Sequence, residues 1–145
     1  MDVNLERARM YLDRRTTAAF LATVSNDGVP DVAPLVAPRF TADGGVAGGE
    51  EESVGGQTFR NLRLQPRATL LLLDPVSDPR SRDGVRLSLE FLGAEEDGPD
   101  LAHLTEWLAA FAPGRRVRRR LLFKVLTIAP YRVEANAHET RTAAT

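Results

Sequence analysis

The chain has 145 residues, of which 19 are basic and 20 acidic, and 43% of its residues are apolar. These totals are typical of one ordinary globular domain, long enough to bury a hydrophobic core. The sequence contains no cysteine, which excludes disulfides, thiolate metal sites and cysteine nucleophiles. A net charge of −1 argues against attraction of the whole surface to nucleic acid.

The first fifteen residues are too charged for a secretory signal. Seven of them carry a charge: Asp2, Glu6, Arg7, Arg9, Asp13, Arg14 and Arg15. The apolar stretches at 18–24 and 70–73 are far shorter than the roughly 20 residues of a membrane-spanning helix. We therefore expect a cytoplasmic protein without membrane contact.

The N-terminal segment predicts a helix followed by a hairpin. Apolar residues recur at helical spacing at Leu5, Ala8 and Leu12. This predicts a helix over 4–15, with Asn4 as its N-cap. The apolar run 18–24 then predicts a strand, and 26–28 a tight turn.

The returning strand is expected over 32–40. Pro34 and Pro38 lack ladder donors, so this strand should be an edge, bulged or interrupted. A third strand is predicted at 46–49, where Gly48 and Gly49 would let a ligand or another backbone approach closely.

The second half continues with short elements. The patterns predict a short helix that begins near residue 58 and ends near 66, strands at 68–73 and 85–92, a helix at 101–111 and a strand at 121–128. The run at 68–73 is continuously apolar and is expected to be buried on both faces. Five or six short strands joined mostly by turns favour a mainly β fold, an antiparallel barrel or sandwich with peripheral helices.

Few side chains point to catalysis. The two histidines, His103 and His138, lie far apart, so no metal site is expected. The serines lack a nucleophile elbow and the glycines form no nucleotide-binding loop. The acidic residues 50–52 are interpreted as solvated surface. No catalytic acid or base is assigned.

Two other features have alternative interpretations. The run 115–120 contains five arginines, and a solvated basic loop is favoured over a site for the phosphates of a cofactor or nucleic acid. Trp107 packs either at a subunit interface or at the edge of the core. The start of the short helix, with Gly55, Gly56 and the Thr58 hydroxyl, has the geometry of a loose anion site.

Several motifs, taken in order, resemble a known family. They are Ala22-Thr23-Val24-Ser25-Asn26-Asp27-Gly28-Val29-Pro30 with Pro34, then Gly56-Gln57-Thr58-Phe59-Arg60-Asn61-Leu62, then Pro66-Arg67. This set resembles the pyridoxamine 5′-phosphate oxidase-like family of flavin-binding split barrels. Residues 84–93 and 125–130 are similar to that family's later strands, so the resemblance spans about residues 4–134. It implies a six-stranded antiparallel split β-barrel that forms a homodimer and binds FMN between subunits.

The resemblance also implies the residues that hold the cofactor. Carried over by position, they are Ala33, Pro34, Leu35 and Val36 on the second strand, Gly48 and Gly49 on the third, and Gln57, Thr58 and Asn61 near the short helix. Many relatives have a lysine where this chain has Gln57, which supplies no charge. Arg60, Arg39 or an arginine of the 115–120 run would then have to bind the phosphate.

These observations lead to one principal expectation and three alternatives. We expect an FMN-binding oxidoreductase with one domain over 1–134 and a polar tail over 135–145. The alternatives are a dimeric scaffold that has lost its flavin, a deazaflavin-dependent reductase and, weakest, a nucleic-acid-binding protein that uses the arginine run. The sequence does not identify a substrate.

Overall fold

The computed structural model describes residues 2–14, 17–74 and 82–133. The elements, in chain order, are α1 (Val3–Asp13), β1 (Ala18–Val24), β2 (Pro30–Pro34), β3 (Val36–Phe40), β4 (Val46–Glu51), a 3-10 turn (Glu52–Val54), α2 (Gln57–Leu64), β5 (Arg67–Leu73), β6 (Arg82–Glu95), α3 (Pro99–Phe111) and β7 (Val117–Val133). His138 and the predicted tail lie outside the described residues.

The seven strands form one antiparallel sheet in the order β2-β1-β5-β6-β7-β4-β3. β2 and β3 follow one another in the chain but lie at opposite edges of the sheet. Since Leu35 alone separates them, the sheet must curl until its two edges approach each other. The Leu35 amide donates to the Ala19 carbonyl at 3.1 Å, which extends the pairing of β2 with β1 by one residue. The fold is the predicted mainly β barrel.

The strand count differs from the prediction. One strand was expected over 32–40, but it is divided at Leu35, so the sheet has seven strands rather than six. Pro34 ends β2, and it has no N–H with which to continue a ladder. Ala37 has a φ of 44°, and the register shifts between Val36 and Arg39. The predicted interruption is therefore present, and it transfers the chain from one sheet edge to the other.

The barrel interior is filled by alternate residues of the strands. The largest fully buried apolar side chains include Leu21, Leu70, Leu72, Leu87, Leu89, Leu121 and Phe123. β5 buries only every second side chain, so the expectation that 68–73 is covered on both faces was wrong. The outer face of the barrel is partly open there, which antiparallel sheets permit.

Two helices cover parts of the barrel. α1 contributes Ala8, Tyr11 and Leu12 to the main core. It begins after Asp2, whose side chain accepts the Asn4 amide at 2.9 Å, so Asp2 rather than Asn4 is the N-cap.

The described helices are all too short or too polar to cross a membrane.

α3 packs against a second, smaller apolar cluster. Leu108 is buried there with Val36 and Val117, and Trp107 lies against this cluster. The Trp107 ring is 4.8 Å from the ring of Phe111, centroid to centroid. Within the described residues, the tryptophan therefore lies at the edge of a core.

Candidate functional site

Glu50 and Glu51, at the end of β4, are buried rather than solvated. Each is only 2% exposed, which corrects the expectation for these two residues, whereas Glu52 is exposed as expected. The neighbouring strand β7 carries arginines from the 115–120 run. Arg119 lies opposite Glu50 and donates Nη1 to its Oε1 at 2.7 Å, and Arg115 forms an ion pair with Glu51. Pairing with arginine is what allows these carboxylates to be buried: Arg119 pairs with Glu50 across the strands, and Arg115 reaches Glu51 from the segment just before β7.

The ion pairs shift the pKa values of these groups. The hydrogen bond from Arg115 lowers the pKa of Glu51, and the same contact raises the pKa of Arg115. Burial alone lowers the pKa of Arg119, but its hydrogen bonds with Glu50 and Glu96 outweigh burial and leave the pKa raised. These pKa shifts favour the charged forms of Glu51, Arg115 and Arg119 at neutral pH.

Glu50 also fixes the start of α2. Its Oε2 accepts the Phe59 backbone amide at 2.9 Å, and the Arg119 guanidinium lies over the Phe59 ring at 4.1 Å. An amide in the first turn of a helix attracts anions because it lacks a partner within the helix. In this chain the anion on the Phe59 amide is an internal carboxylate. The anion site expected at this helix start is therefore partly occupied by the protein itself.

Three guanidinium groups converge beside Gly56, the N-cap residue of α2. A Cβ placed on this glycine would lie 3.4 Å from Nη1 of Arg60 and 3.8 Å from Nη1 of both Arg118 and Arg119. Gly56 has a φ of 77°, a conformation that glycine adopts without strain. We call Arg60, Arg118 and Arg119 around this point the Gly56 cluster.

Two members of the Gly56 cluster have no carboxylate partner among the described residues. Arg60 donates to the Gly55 carbonyl at 3.0 Å and to the Gln57 side-chain oxygen at 2.8 Å. Arg118 is exposed on β7 and makes no ion pair within the described part of the chain. Since Arg119 is neutralised by Glu50, the charge available to an external anion comes from Arg60 and Arg118.

The residues expected near the short helix lie together but bond to one another. The Gln57 side-chain amide donates to Asn61 Oδ1 at 2.7 Å. Asn61 is buried and donates to the Thr23 hydroxyl at 3.0 Å, and Thr58 is buried as well. Gln57 is only partly buried, so of these three it has the greatest access to solvent.

The glycine pair on β4 is covered by side chains of the same chain. A Cβ on Gly48 would lie 2.6 Å from Cγ of Leu35, and a Cβ on Gly49 would lie 2.8 Å from Cγ1 of Val117. The close approach expected at these glycines is made by the packed side chains. Ala33 is buried on β2, where it lies opposite Leu21 of β1.

Pro34, Leu35 and Val36 line a cavity of about 290 Å³. We call it the Trp107 cavity, since its wall includes Trp107 and Leu108 of α3. Eight of the nine expected residues thus lie in three groups: three at α2, the glycine pair on β4, and three along this cavity, while Ala33 lies on β2 opposite Leu21.

The sequence analysis included Arg118 and Arg119 among the arginines of the 115–120 run that could bind the phosphate, but it missed Glu50 and did not place these residues in one site. A signal for them was available, because Val117, Arg119, Leu121 and Phe123 alternate with exposed or half-buried residues. Extending the apolar alternation of the last strand back by two positions would have placed Arg119 inside the barrel.

No protein-family model and no curated protein sequence matches the chain. Similarity is found among solved structures. An FMN-binding protein from Syntrophomonas wolfei has a TM-score of 0.71 and 21% identity, with 88% of this chain and 85% of that protein covered. An F420 reductase has a TM-score of 0.60 and 15% identity, with coverage of 89% and 98%. A candidate pyridoxamine 5′-phosphate oxidase from Lactobacillus delbrueckii has a TM-score of 0.54 and 18% identity, with coverage of 86% and 90%.

These similarities establish the fold. The chain has the pyridoxamine 5′-phosphate oxidase-like split-barrel architecture, as the ordered motifs predicted. The solved structures extend over most of the chain, so the likeness is not confined to one hairpin.

Proposed function

We propose that the protein is a homodimeric oxidoreductase that binds FMN, with the flavin phosphate held by the Gly56 cluster. The observation that carries this proposal is the convergence of three guanidinium groups on one point at the start of α2. The similarity of the whole fold to an FMN-binding protein supports it. Bound FMN would supply the electron chemistry, which protein side chains do not provide.

The chemistry of the Gly56 cluster fits a phosphate. Arginine presents a planar set of donors that binds phosphate oxygens in pairs, and charge-assisted hydrogen bonds are roughly twice as strong as neutral ones. Arg60 and Arg118 would hold the phosphate, in place of the lysine that Gln57 replaces. Arg60 is already oriented by the Gln57 side chain, so Gln57 would position a cation rather than contact the phosphate itself.

The buried pair Glu50–Arg119 would support this site without contacting the ligand. Glu50 holds the Phe59 amide, which fixes α2 against the barrel end. Arg119 already donates hydrogen bonds to Glu50 and, from its Nε at 2.9 Å, to Glu96 Oε1. Its remaining role near the phosphate would be electrostatic.

The test compares FMN with riboflavin, which has the same ring but no phosphate. Binding is measured by isothermal titration calorimetry on wild type, Arg60→Gln and Arg118→Gln. We expect wild type to prefer FMN, and each variant to bind FMN about tenfold or more weakly, since a hydrogen bond to a charged group contributes about 1.5–3 kcal/mol. Riboflavin binding should not change.

The matched control is Arg63→Gln. Arg63 is exposed on the same helix, but it lies over the Phe59 ring, 5.7 Å from its centroid, and is not in the Gly56 cluster. It should bind FMN like wild type. Equal affinity of wild type for FMN and riboflavin would refute the phosphate site, and absence of binding to both would favour a scaffold without flavin.

The homodimer is supported by an apolar patch on the outer surface of the barrel. We call it the outer apolar face, and it consists of Phe20, Ala22 and Val24 on β1, Pro30, Val32 and Pro34 on β2, and Leu71 on β5. Phe20 is 40% exposed and Val32 is 65% exposed. A contiguous apolar patch of this kind typically marks a protein interface.

The dimer is tested with Val32→Asp. Val32 is already exposed, so the substitution should leave the barrel folded and place a charge in the proposed interface. We expect a wild-type dimer by light scattering after gel filtration, and a monomer for the variant. Leu92→Asp is the control, because Leu92 is 61% exposed on β6, outside the outer apolar face. A monomeric wild type would refute the dimer.

A further inference from the structure

The Trp107 cavity is a second site whose lining the flavin phosphate does not explain. Its volume is about 290 Å³. Cavities of about 150 Å³ in protein cores accept benzene, so this one has room for a molecule of one or two rings. Its walls are mainly apolar, with Ala18, Ala19 and Pro34 on one side and Trp107 and Leu108 on the other.

The charged groups around the cavity are mostly cationic. Arg14, Arg39, Arg115 and Glu51 line it. Arg14 is paired with Asp74 and Arg115 with Glu51. Arg39 differs, because within the described residues its guanidinium donates only to the carbonyl of the neighbouring Pro38, at 2.7 Å. A half-buried guanidinium without a carboxylate partner would stabilise an anion at the cavity wall.

Two further features of the cavity lining, its unpaired polar atoms and a strained backbone, are typical of a ligand site. The Thr17 hydroxyl and the Trp107 indole nitrogen are buried polar atoms with no hydrogen-bond partner among the residues that the structure describes, and both residues line the cavity. Each donor is covered by neighbouring atoms, so a side-chain rotation is required to turn it toward a ligand. Ala37, also in the wall, has a φ of 44°, which is strained for a residue other than glycine. Unpaired donors and strained backbone concentrate at ligand sites.

We propose that the Trp107 cavity binds a small carboxylate with an apolar body, with Arg39 as the partner of the carboxylate. The apolar walls would take the body of the molecule. The carboxylate oxygens would accept from Arg39 and, after rotation, from Thr17 or Trp107. This site is distinct from the proposed phosphate site, since none of its cationic residues belongs to the Gly56 cluster.

The test uses the fact that Trp107 is the only tryptophan of the chain. Its fluorescence is followed during titration with cyclohexanecarboxylate and with cyclohexylmethanol, which has the same body without the charge. We expect a saturable change with the carboxylate and at least about tenfold weaker binding of the alcohol. Arg39→Gln should remove this preference, while Arg63→Gln, which is remote from the cavity lining, should keep it.

Three outcomes would overturn the proposal. They are no saturable response to the carboxylate, equal binding of both probes, and retention of the preference in Arg39→Gln. A fourth would reassign the cavity: if saturating FMN abolishes carboxylate binding measured by calorimetry, the flavin occupies the cavity and the proposal is wrong. Failure of FMN to bind would leave the carboxylate result unaffected, so the two proposals fail separately.

Discussion

Replacing Glu50 with glutamine removes one charge from the barrel end with almost no change in volume. The side chain is 2% exposed and holds two donors, Arg119 Nη1 at 2.7 Å and the Phe59 amide at 2.9 Å. Removing one partner of a buried ion pair typically costs about 3–5 kcal/mol, because the other charge stays buried. A glutamine oxygen can still accept from one of the donors, so we expect Glu50→Gln to lower the free energy of unfolding by about 3 kcal/mol.

The assay is urea denaturation followed by circular dichroism at one fixed protein concentration, since dimer formation would make stability depend on concentration. Glu50→Gln, Arg119→Gln and the double variant form a cycle. We expect the sum of the losses in unfolding free energy of the two single variants to exceed the loss of the double variant by about 2 kcal/mol, in the range measured for residues in contact. Glu52→Gln is the control, because Glu52 is exposed next to the pair and should change stability by less than about 0.5 kcal/mol. A loss below about 0.5 kcal/mol for Glu50→Gln, or additivity of the two single variants, would refute the reasoning.

Two further predictions concern the barrel itself. Burial, and then the hydrogen bond to Asp74, raise the pKa of Tyr11 from 10.0 to about 12. The neutral phenol is favoured in the folded state, so this contribution to stability is complete below pH 10 and is lost as pH rises toward 12. Wild type should therefore lose about 2 kcal/mol more than Tyr11→Phe between pH 10 and 12 in urea titrations, and equal slopes of stability against pH would contradict the raised pKa. Gly84→Ala should be destabilising by about 1–3 kcal/mol, because the new Cβ would lie 2.1 Å from the Leu72 carbonyl oxygen, whereas Gly93→Ala on the same strand meets no atom within 4 Å. Equal melting temperatures for the two alanine variants would show that β5 and β6 can move apart at Gly84 without loss of stability, and would contradict this prediction.

The sequence predicted the elements of the barrel better than it predicted the site. The predicted strand at 18–24 is confirmed as β1, and it was predictable because its apolar run ends at a turn whose residues tolerate positive φ. The interruption of the 32–40 segment was visible in its prolines, but the transfer of β3 to the far edge of the sheet depends on the pairing of β4 with the distant strand β7. Local patterns carry no information about such closure.

The site was harder because charge does not reveal burial. Acidic residues in a short run are usually solvated, so Glu50 was assigned to the surface, and its partner lies 69 positions away. Only the register of β4 against β7 brings Glu50 opposite Arg119. Gly48 and Gly49 were expected to admit a ligand, yet their space is filled by Leu35 and Val117. A glycine in a strand indicates that another group approaches the backbone closely, but it does not show whether that group is a ligand or a side chain of the same chain.

The ion pair between Glu50 and Arg119 explains how Arg118 reaches α2. Side chains on a strand alternate between faces, so Arg119 points into the barrel while Arg118 points outward. Glu50 holds the start of α2 near β7 through the Phe59 amide, so that a Cβ placed on Gly56 would lie 3.8 Å from Nη1 of both arginines. The Glu50 carboxylate thus occupies the Phe59 amide, which an external anion would otherwise bind. The same contact keeps α2 near the arginines of β7, and these arginines would bind the external anion instead of the amide. If this holds, Glu50→Gln should weaken FMN binding even though it removes a negative charge near the phosphate. Tighter FMN binding in a folded Glu50→Gln variant would show that Glu50 competes with the ligand instead of positioning the helix.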